Sequence, residues 1–203
     1  GEVSSRLLGQ GAHELRICIA DADVAPALRL RQVHNPPAPD ALVSLWLDSA
    51  HRRGPLEQTI VSAVGRAAGY LVAESEPLVN TRHPVPDGLR TPGMLHVALF
   101  PRPKRLTQEE WLDIWMNSHT QIAIDTQSTF GYRQNVVVRI LTPGAVPYAA
   151  IVEENFPDEA MTSPHAFYDA VGDDAKLAKR IRTMVESCVR FIDLKTLDVM
   201  VTS

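Results

Sequence analysis

Residues 94–119, MLHVALFPRPKRLTQEEWLDIWMNSH, decide the fold because they join two elements of different periodicity. Residues 94–100 predict a β-strand with Leu95, Val97 and Leu99 on one face and His96, Ala98 and Phe100 on the other. Thr107 and Glu110 then have the spacing of a helix-capping box. Apolar residues recur at helical intervals from there to about residue 125, which predicts an amphipathic helix.

The β-α order of this stretch continues to the C terminus. Residues 130–141, which are rich in Val and Ile, and residues 147–156 predict a pair of strands separated by a Thr-Pro-Gly turn. A second amphipathic helix is expected from Asp173, and a last strand covers about residues 191–201. The order β-α-β-β-α-β is the ferredoxin-like pattern.

The first half of the chain has a similar but shorter pattern. Alternating residues predict strands at 15–19, 27–33 and 41–47, followed by a helix around 60–71 and a strand that ends near Val79. The apolar positions of that helix have the same spacing as those of the last helix, but the first helix of the pattern is missing. Such self-similarity predicts an α+β fold of tandem ferredoxin-like repeats that together form an α+β barrel.

The expected domain organisation follows from the proline-rich segment in the middle of the chain. Residues 83–93, HPVPDGLRTPG, predict a linker because proline and glycine interrupt regular structure. Residues 1–82 would form the degenerate half and residues 94–203 the complete half. The two halves are expected to form one barrel domain.

Composition excludes several classes of protein. The 203 residues include 20 Lys and Arg against 24 Asp and Glu, so the chain lacks the basic surface of a nucleic-acid binder. Its apolar runs are much shorter than the ~20 residues of a membrane span. The two cysteines, Cys18 and Cys188, are typical of a reducing compartment, and we expect a cytoplasmic protein. The seven histidines show no metal-ligand spacing, so no metal is expected.

Several motifs of the second half occur together in one known family. They are RLTQEEWLDIWMNSH at 105–119, FGYRQN at 130–135 and EENFPD at 153–158, followed by Ser163-Pro164. In this order they resemble the EthD branch of the dimeric α+β barrel superfamily, over residues 94–201. The chain differs from the family in having Gln121 where a proline often follows the histidine of the first motif.

The resemblance implies a fold and a range of functions. It implies a four-stranded sheet whose open face packs on a second sheet, and a homodimer. Members of the superfamily include cofactor-free lyases, isomerases and cyclases that act on small aromatic or polyketide-like molecules, and we expect an enzyme of this type without a cofactor. The alternatives are a cofactor-free monooxygenase, a haem-binding protein with His119 as axial ligand, and a non-catalytic ligand-binding or accessory protein.

His119 is the first candidate for catalysis. It lies on the flank of the apolar stripe of its helix, where a side chain can reach a cavity between helix and sheet. Its ordinary pKa near 6.5 suits proton transfer at neutral pH. Gln121 is one of the hydrogen-bonding residues around it and is a candidate substrate ligand. The alternative is a histidine that satisfies carbonyl groups at the helix end.

His96 and Tyr132 complete the predicted catalytic group. If Leu95, Val97 and Leu99 pack on the helices, His96 points into the barrel as a second acid or base or as a hydrogen-bond donor to substrate. The alternative is a core histidine bonded to a neighbour. Tyr132 would bind a phenol or enolate oxygen. Asn135, on the other face of the same strand, would contact substrate or orient His119, and alternation does not say which face lines the cavity.

The remaining candidates come from charged and aromatic residues. Glu153 and Glu154 are adjacent in a strand, so one should point inward, where it would orient a histidine or pair with Arg29 or Arg31. Exposure at the strand end is the alternative. Arg29 is therefore a candidate substrate-binding residue. Trp46 and Trp115 would provide an aromatic wall or pack in the core, and these two residues complete the predicted site.

Overall fold

Seven strands form two antiparallel sheets in the computed structural model, which describes all 203 residues and has an α+β fold. The strands are β1 Glu14–Ile19, β2 Ala41–Trp46, β3 Tyr70–Leu78, β4 Met94–Phe100, β5 Gly131–Ile140, β6 Ala150–Phe156 and β7 Asp198–Thr202. The helices are α1 Glu2–Gly9, α2 Gly54–Ala63, α3 Gln108–Leu112, α4 Thr120–Thr126, α5 Pro164–Phe167 and α6 Asp174–Phe191. A π-helical segment, Asp113–His119, joins α3 to α4.

The larger sheet has the strand order β3-β5-β6-β4-β7. Four of its strands come from the second half, where the predicted order β-α-β-β-α-β is present. The capping box that begins α3 is also confirmed, with Thr107 and Glu110 each accepting the other's backbone N–H. The fifth strand, β3, comes from the first half and pairs with β5 at the edge.

The first half does not form a four-stranded sheet of its own. Strands β1 and β2 pair only with each other as a two-stranded sheet. The strand predicted at 27–33 is wrong: Ala22–Leu30 is a 3₁₀ helix, because the side chain of Asp21 caps its first turn and Pro26 fits the fixed φ of a tight helix. Helix α2 ends at Ala63, earlier than predicted.

The two faces of the larger sheet are covered by different elements. Helices α3, α4 and α6 cover the first, which we call the helix face; its core contains Phe100, Trp111, Trp115, Tyr132, Val152 and Phe191. The β1–β2 pair covers the second, the hairpin face; its core contains Cys18, Leu95, Val97, Leu99, Ile151 and Met200. Each face therefore buries its own apolar cluster within one chain.

A bilayer-crossing segment is not found among the helices, since none is both long enough and apolar enough.

Candidate functional site

Three polar side chains form a row across the centre of the helix face. In the register of the sheet, Glu154 on β6 lies opposite Tyr132 on β5 and opposite His96 on β4. Directly opposed residues of antiparallel strands project to the same face with their Cβ atoms about 5 Å apart. The sheet thus brings together two of the predicted catalytic residues and places a carboxylate between them. We call Tyr132, Glu154 and His96 the central row.

The imidazole of His96 faces the carboxylate of Glu154. Its Nδ1 lies 3.7 Å from Glu154 Oε2, and the two side chains are 16% and 8% exposed. This separation is longer than a hydrogen bond. Nδ1 is buried with no hydrogen-bond partner, and Nε2 makes no hydrogen bond within the protein. The second nitrogen, Nε2, therefore has an unused hydrogen-bonding position.

Glu154 is itself oriented by a neighbouring amide. Gln127, with its amide turned so that both of its donors are used, donates to Glu154 Oε1 at 3.0 Å and to the carbonyl oxygen of Ala123 at 3.2 Å. One carboxylate oxygen is thus held, and the other faces His96. The carboxylate of Glu154 is therefore fixed in position next to the imidazole of His96.

The charge of Glu154 contributes to raised pKa values of three other groups of the helix face. Burial raises the pKa of the Cys188 thiol to about 12, and the carboxylate adds to that increase. Burial first and Glu154 second also raise the pKa of Tyr132, and both effects act in the same direction on Tyr168. The two phenols and the thiol therefore stay protonated at neutral pH, and none of them neutralises the carboxylate.

Aromatic rings surround His96. Its ring packs edge to face with Phe156 and Phe167, with centroids 6.1 Å and 5.9 Å away. These two phenylalanines are stacked on each other at 4.2 Å, and Tyr168 packs beside Phe167. A molecule that reaches Nε2 would meet apolar and aromatic surface.

The π-helical segment fixes the Tyr132 end of the row. A π-helix shifts the backbone hydrogen bond to the fifth residue, and Thr120 donates both its backbone N–H and its Oγ1 hydroxyl, the latter at 2.8 Å, to the carbonyl of Trp115. Gln134 donates in turn to Thr120 Oγ1 at 2.6 Å. The indole of Trp115, held in this way, donates to the Tyr132 hydroxyl at 3.3 Å. Trp115 is therefore a core residue that positions Tyr132.

His119 lies outside the central row. It is buried between α4 and α6, where its Nδ1 is 2.9 Å from Ser187 Oγ and its ring packs against Phe191. Burial, with a smaller effect of Arg190, lowers its pKa to about 4. The imidazole is consequently neutral at pH 7 and packed as part of the core, which corrects the expectation that it faces a cavity between helix and sheet.

His96 lies on a different face of the sheet from the one that the sequence predicted. Leu95, Val97 and Leu99 pack on the β1–β2 pair rather than on the helices. His96 consequently lies on the helix face and does not point toward the face opposite the helices. Tyr132 shares that face.

The hairpin face holds the second carboxylate of the Glu-Glu pair. Glu153 Oε2 accepts from Arg16 Nη1 at 3.0 Å, and its Oε1 accepts from Asn135 Nδ2 at 2.9 Å. Arg16 also donates to Glu74 on β3 at 3.0 Å, and its guanidinium lies 5.0 Å from the ring centroid of Trp46. Asn135 is thus on the opposite face from His119 and does not orient it, and Trp46 covers an ion pair.

Two predicted substrate ligands lie at the surface. Gln121 is exposed and donates to Asp125 one turn along α4. Arg29 is exposed and donates to the carbonyl of Met161 at 3.4 Å, and neither glutamate is its partner. The alternative of strand-end exposure for the Glu-Glu pair is wrong, since both side chains are buried.

Sequence reasoning missed Gln127 and Arg16, which complete the two carboxylate sites. Gln127 follows the last residue of α4, and no local pattern distinguishes it from an ordinary helix-end residue. Arg16 falls between apolar residues of β1, and this alternation alone is typical of an exposed strand residue. No group of three or more His, Cys, Asp or Glu side chains is arranged to hold a metal ion.

Comparison with known proteins identifies no family: none of the protein-family models matches the chain, and neither does any curated protein. The similarity to the EthD family thus stays a prediction from the motifs.

Proposed function

We propose that this protein is a cofactor-independent enzyme that transfers protons to and from a small aromatic or polyketide-like molecule. His96 would be the general base and acid, in place of His119. The reaction would be of the lyase, isomerase or cyclase type. The observation that carries the proposal is the geometry of one pair: the imidazole Nδ1 faces the buried carboxylate of Glu154, while Nε2 has no partner in the protein.

The pair has the properties that general base catalysis requires. When Nε2 takes a proton from substrate, the imidazole becomes positively charged next to the carboxylate, which favours that charge. Gln127 holds Glu154 in place, so little rearrangement accompanies the transfer. The same nitrogen can return the proton to another substrate atom, as an isomerisation or a retro-aldol cleavage needs.

The surroundings favour an apolar substrate. Phe156 and Phe167 flank the imidazole, and aromatic rings prefer edge-to-face or offset contacts with other rings. Tyr132 stays protonated and is held by Trp115, so it acts as a positioning residue that walls one side of Glu154. Substrate acidity would come from a carbonyl group next to the reacting carbon.

The experiment that tests the proposal is proton exchange in D₂O. The protein is incubated with a panel of aryl ketones and 1,3-diketones, and ¹H NMR follows replacement of the hydrogen next to the carbonyl by deuterium. We expect at least one compound to exchange faster than in buffer. His96→Gln should slow that exchange by about 10²–10⁴-fold. Glu154→Gln should slow the exchange too, because His96 is still present but no longer faces a carboxylate.

A matched control is available in the other buried histidine. His119→Gln removes an imidazole from the same layer and should leave exchange within about twofold of wild type. The proposal is wrong if no compound exchanges faster than in buffer, or if His96→Gln retains the wild-type rate while its near-UV circular dichroism shows an intact fold.

The tandem barrel and the homodimer belong to the same proposal. The tandem barrel is supported by the family motifs and by the β1–β2 pair, which packs on the sheet face opposite the helices. The homodimer is supported by the family motifs alone. Light scattering of the purified protein tests the dimer: a mass near 45 kDa, about twice that of one chain of 22.4 kDa, supports it and a monomer mass contradicts it.

A further inference from the structure

A cavity lies between the 3₁₀ helix Ala22–Leu30 and the edge strand β7, whose Val201 is the cross-strand neighbour of His96. It has a volume of about 220 Å³. Most of its wall is apolar and is formed by Ala20, Val24, Ala25, Leu28, Met200 and Val201. Drug-sized ligands need roughly 300–1,000 Å³, so this cavity suits a smaller molecule with an apolar body.

One cation lines this cavity, and its hydrogen-bonding capacity is only partly used. Arg31 donates from Nη2 to Asp40 Oδ1 at 2.8 Å and to the carbonyl of Pro39 at 3.3 Å. Its Nε is buried and has no hydrogen-bond partner. A buried charged donor without an acceptor is costly, and native structures rarely leave one unexplained.

Neither of the two neighbouring carboxylates, Asp21 and Asp40, fully neutralises the charge of Arg31, so the guanidinium can still attract an anion. Asp21, the only acidic residue in the cavity wall, is bound to Arg90 Nη2 at 2.6 Å, and this contact holds its pKa below the usual range. Asp40 is 77% exposed, so its pairing with Arg31 is weakened by water. The cavity therefore combines an apolar wall with one guanidinium whose buried N–H is unpaired.

From these observations we infer that the cavity binds a small apolar carboxylate, with the carboxylate on Arg31 and the apolar body against Met200 and Val24. Guanidinium groups bind carboxylates through charge-assisted hydrogen bonds, which are stronger than neutral ones. An aromatic or short-chain acid matches the volume. This inference does not require the proposed catalytic activity.

Methyl NMR of the full chain tests this inference directly. The protein is labelled with ¹³C at its five methionine methyl groups and titrated with benzoate or with benzyl alcohol, which has a similar shape but no charge. We expect benzoate to shift the Met200 signal in a saturable way while Met184, buried on the helix face, stays unchanged. Benzyl alcohol should bind at least about tenfold more weakly.

Two arginine variants separate the site from general binding. Arg31→Gln should weaken benzoate binding by about tenfold or more, because the charge on the cavity wall is lost. Arg29→Gln, two residues away and exposed, should bind as wild type does. Absence of a Met200 response, equal binding of acid and alcohol, or wild-type affinity in Arg31→Gln would overturn the inference.

Discussion

Acidification should destabilise the fold through His119. Burial, and to a smaller extent Arg190, lowers the pKa of this imidazole from 6.5 to about 4 in the folded protein. The unfolded chain therefore takes up a proton near pH 6.5, whereas the folded protein does so only near pH 4. The stabilising contribution is complete above pH 6.5, decreases between pH 6.5 and pH 4, and changes no further below pH 4.

The size of this effect follows from the two pKa values. The complete contribution amounts to about 3 kcal/mol, and about 2 kcal/mol of it should be lost between pH 7 and pH 5. His119→Gln keeps a polar side chain near Ser187 but has no titratable group, so its free energy of unfolding should change less over that interval. The difference between variant and wild type isolates His119, since all other titrating groups are shared.

Urea denaturation at pH 7 and pH 5 measures how much the free energy of unfolding changes in wild type and in His119→Gln. His51→Gln, at an exposed position, is the matched control and should retain the pH dependence of the wild type. Equal losses of stability in wild type and His119→Gln would refute the reasoning, as would a ring signal of His119 that titrates near pH 6.5. His119→Gln is also the control for the proton-exchange experiment. This one variant therefore tests both the contribution of His119 to stability and the proposal that His119 takes no part in catalysis.

Three further substitutions probe other parts of the fold, each followed by urea denaturation. Glu153→Gln removes a buried counter-charge and should cost about 2 kcal/mol, whereas Glu74→Gln, at the more exposed end of the same network, should cost less than about 1 kcal/mol. Burial raises the pKa of Asp198, but its hydrogen bonds lower the pKa more, so its stabilisation is present above about pH 4 and is lost as the pH falls through the folded pKa. Asp198→Asn should cost about 2 kcal/mol at pH 7, and this cost should decrease as the pH falls below about 4; a cost that does not change with pH would contradict this. Gly93→Ala should lower the free energy of unfolding by more than about 2 kcal/mol, because φ is +91° and a Cβ atom would overlap a backbone carbonyl of β6. Gly88→Ala, with φ +82° and open space around the added Cβ atom, should lower it by about 1 kcal/mol. Similar losses of stability in the two variants would contradict the packing argument.

The predicted elements of the second half agree with the structure because local signals there are strong. The capping box at Thr107 and the apolar periodicity after it are properties of neighbouring residues, and the helix begins at Gln108 as expected. In the first half, alternation at residues 27–33 suggested a strand, but side-chain capping by Asp21 and packing against β7 produce a 3₁₀ helix. Periodicity over seven residues was too short to exclude that outcome.

The candidate site was predictable in its residue types more than in its geometry. Glu153 and Glu154 were expected to face opposite sides of a strand, and they do, since strand alternation is fixed by the backbone. Which histidine Glu154 would meet depended on the pairing of β6 with β4, a contact between residues 58 positions apart. The residues near His96 and Glu154 in the sequence do not determine that register.

The sequence by itself determined the α+β class, the order of elements after residue 94 and the presence of two adjacent carboxylates, because these depend on periodicity, capping and residue type. Only the tertiary structure decided which sheet face each side chain occupies. It buried His119 among apolar rings and Ser187, placed His96 beside Glu154, and paired Glu153 with Arg16. The physical reason is that burial and strand register set the charge and partners of an ionisable group, and both arise from distant parts of the chain.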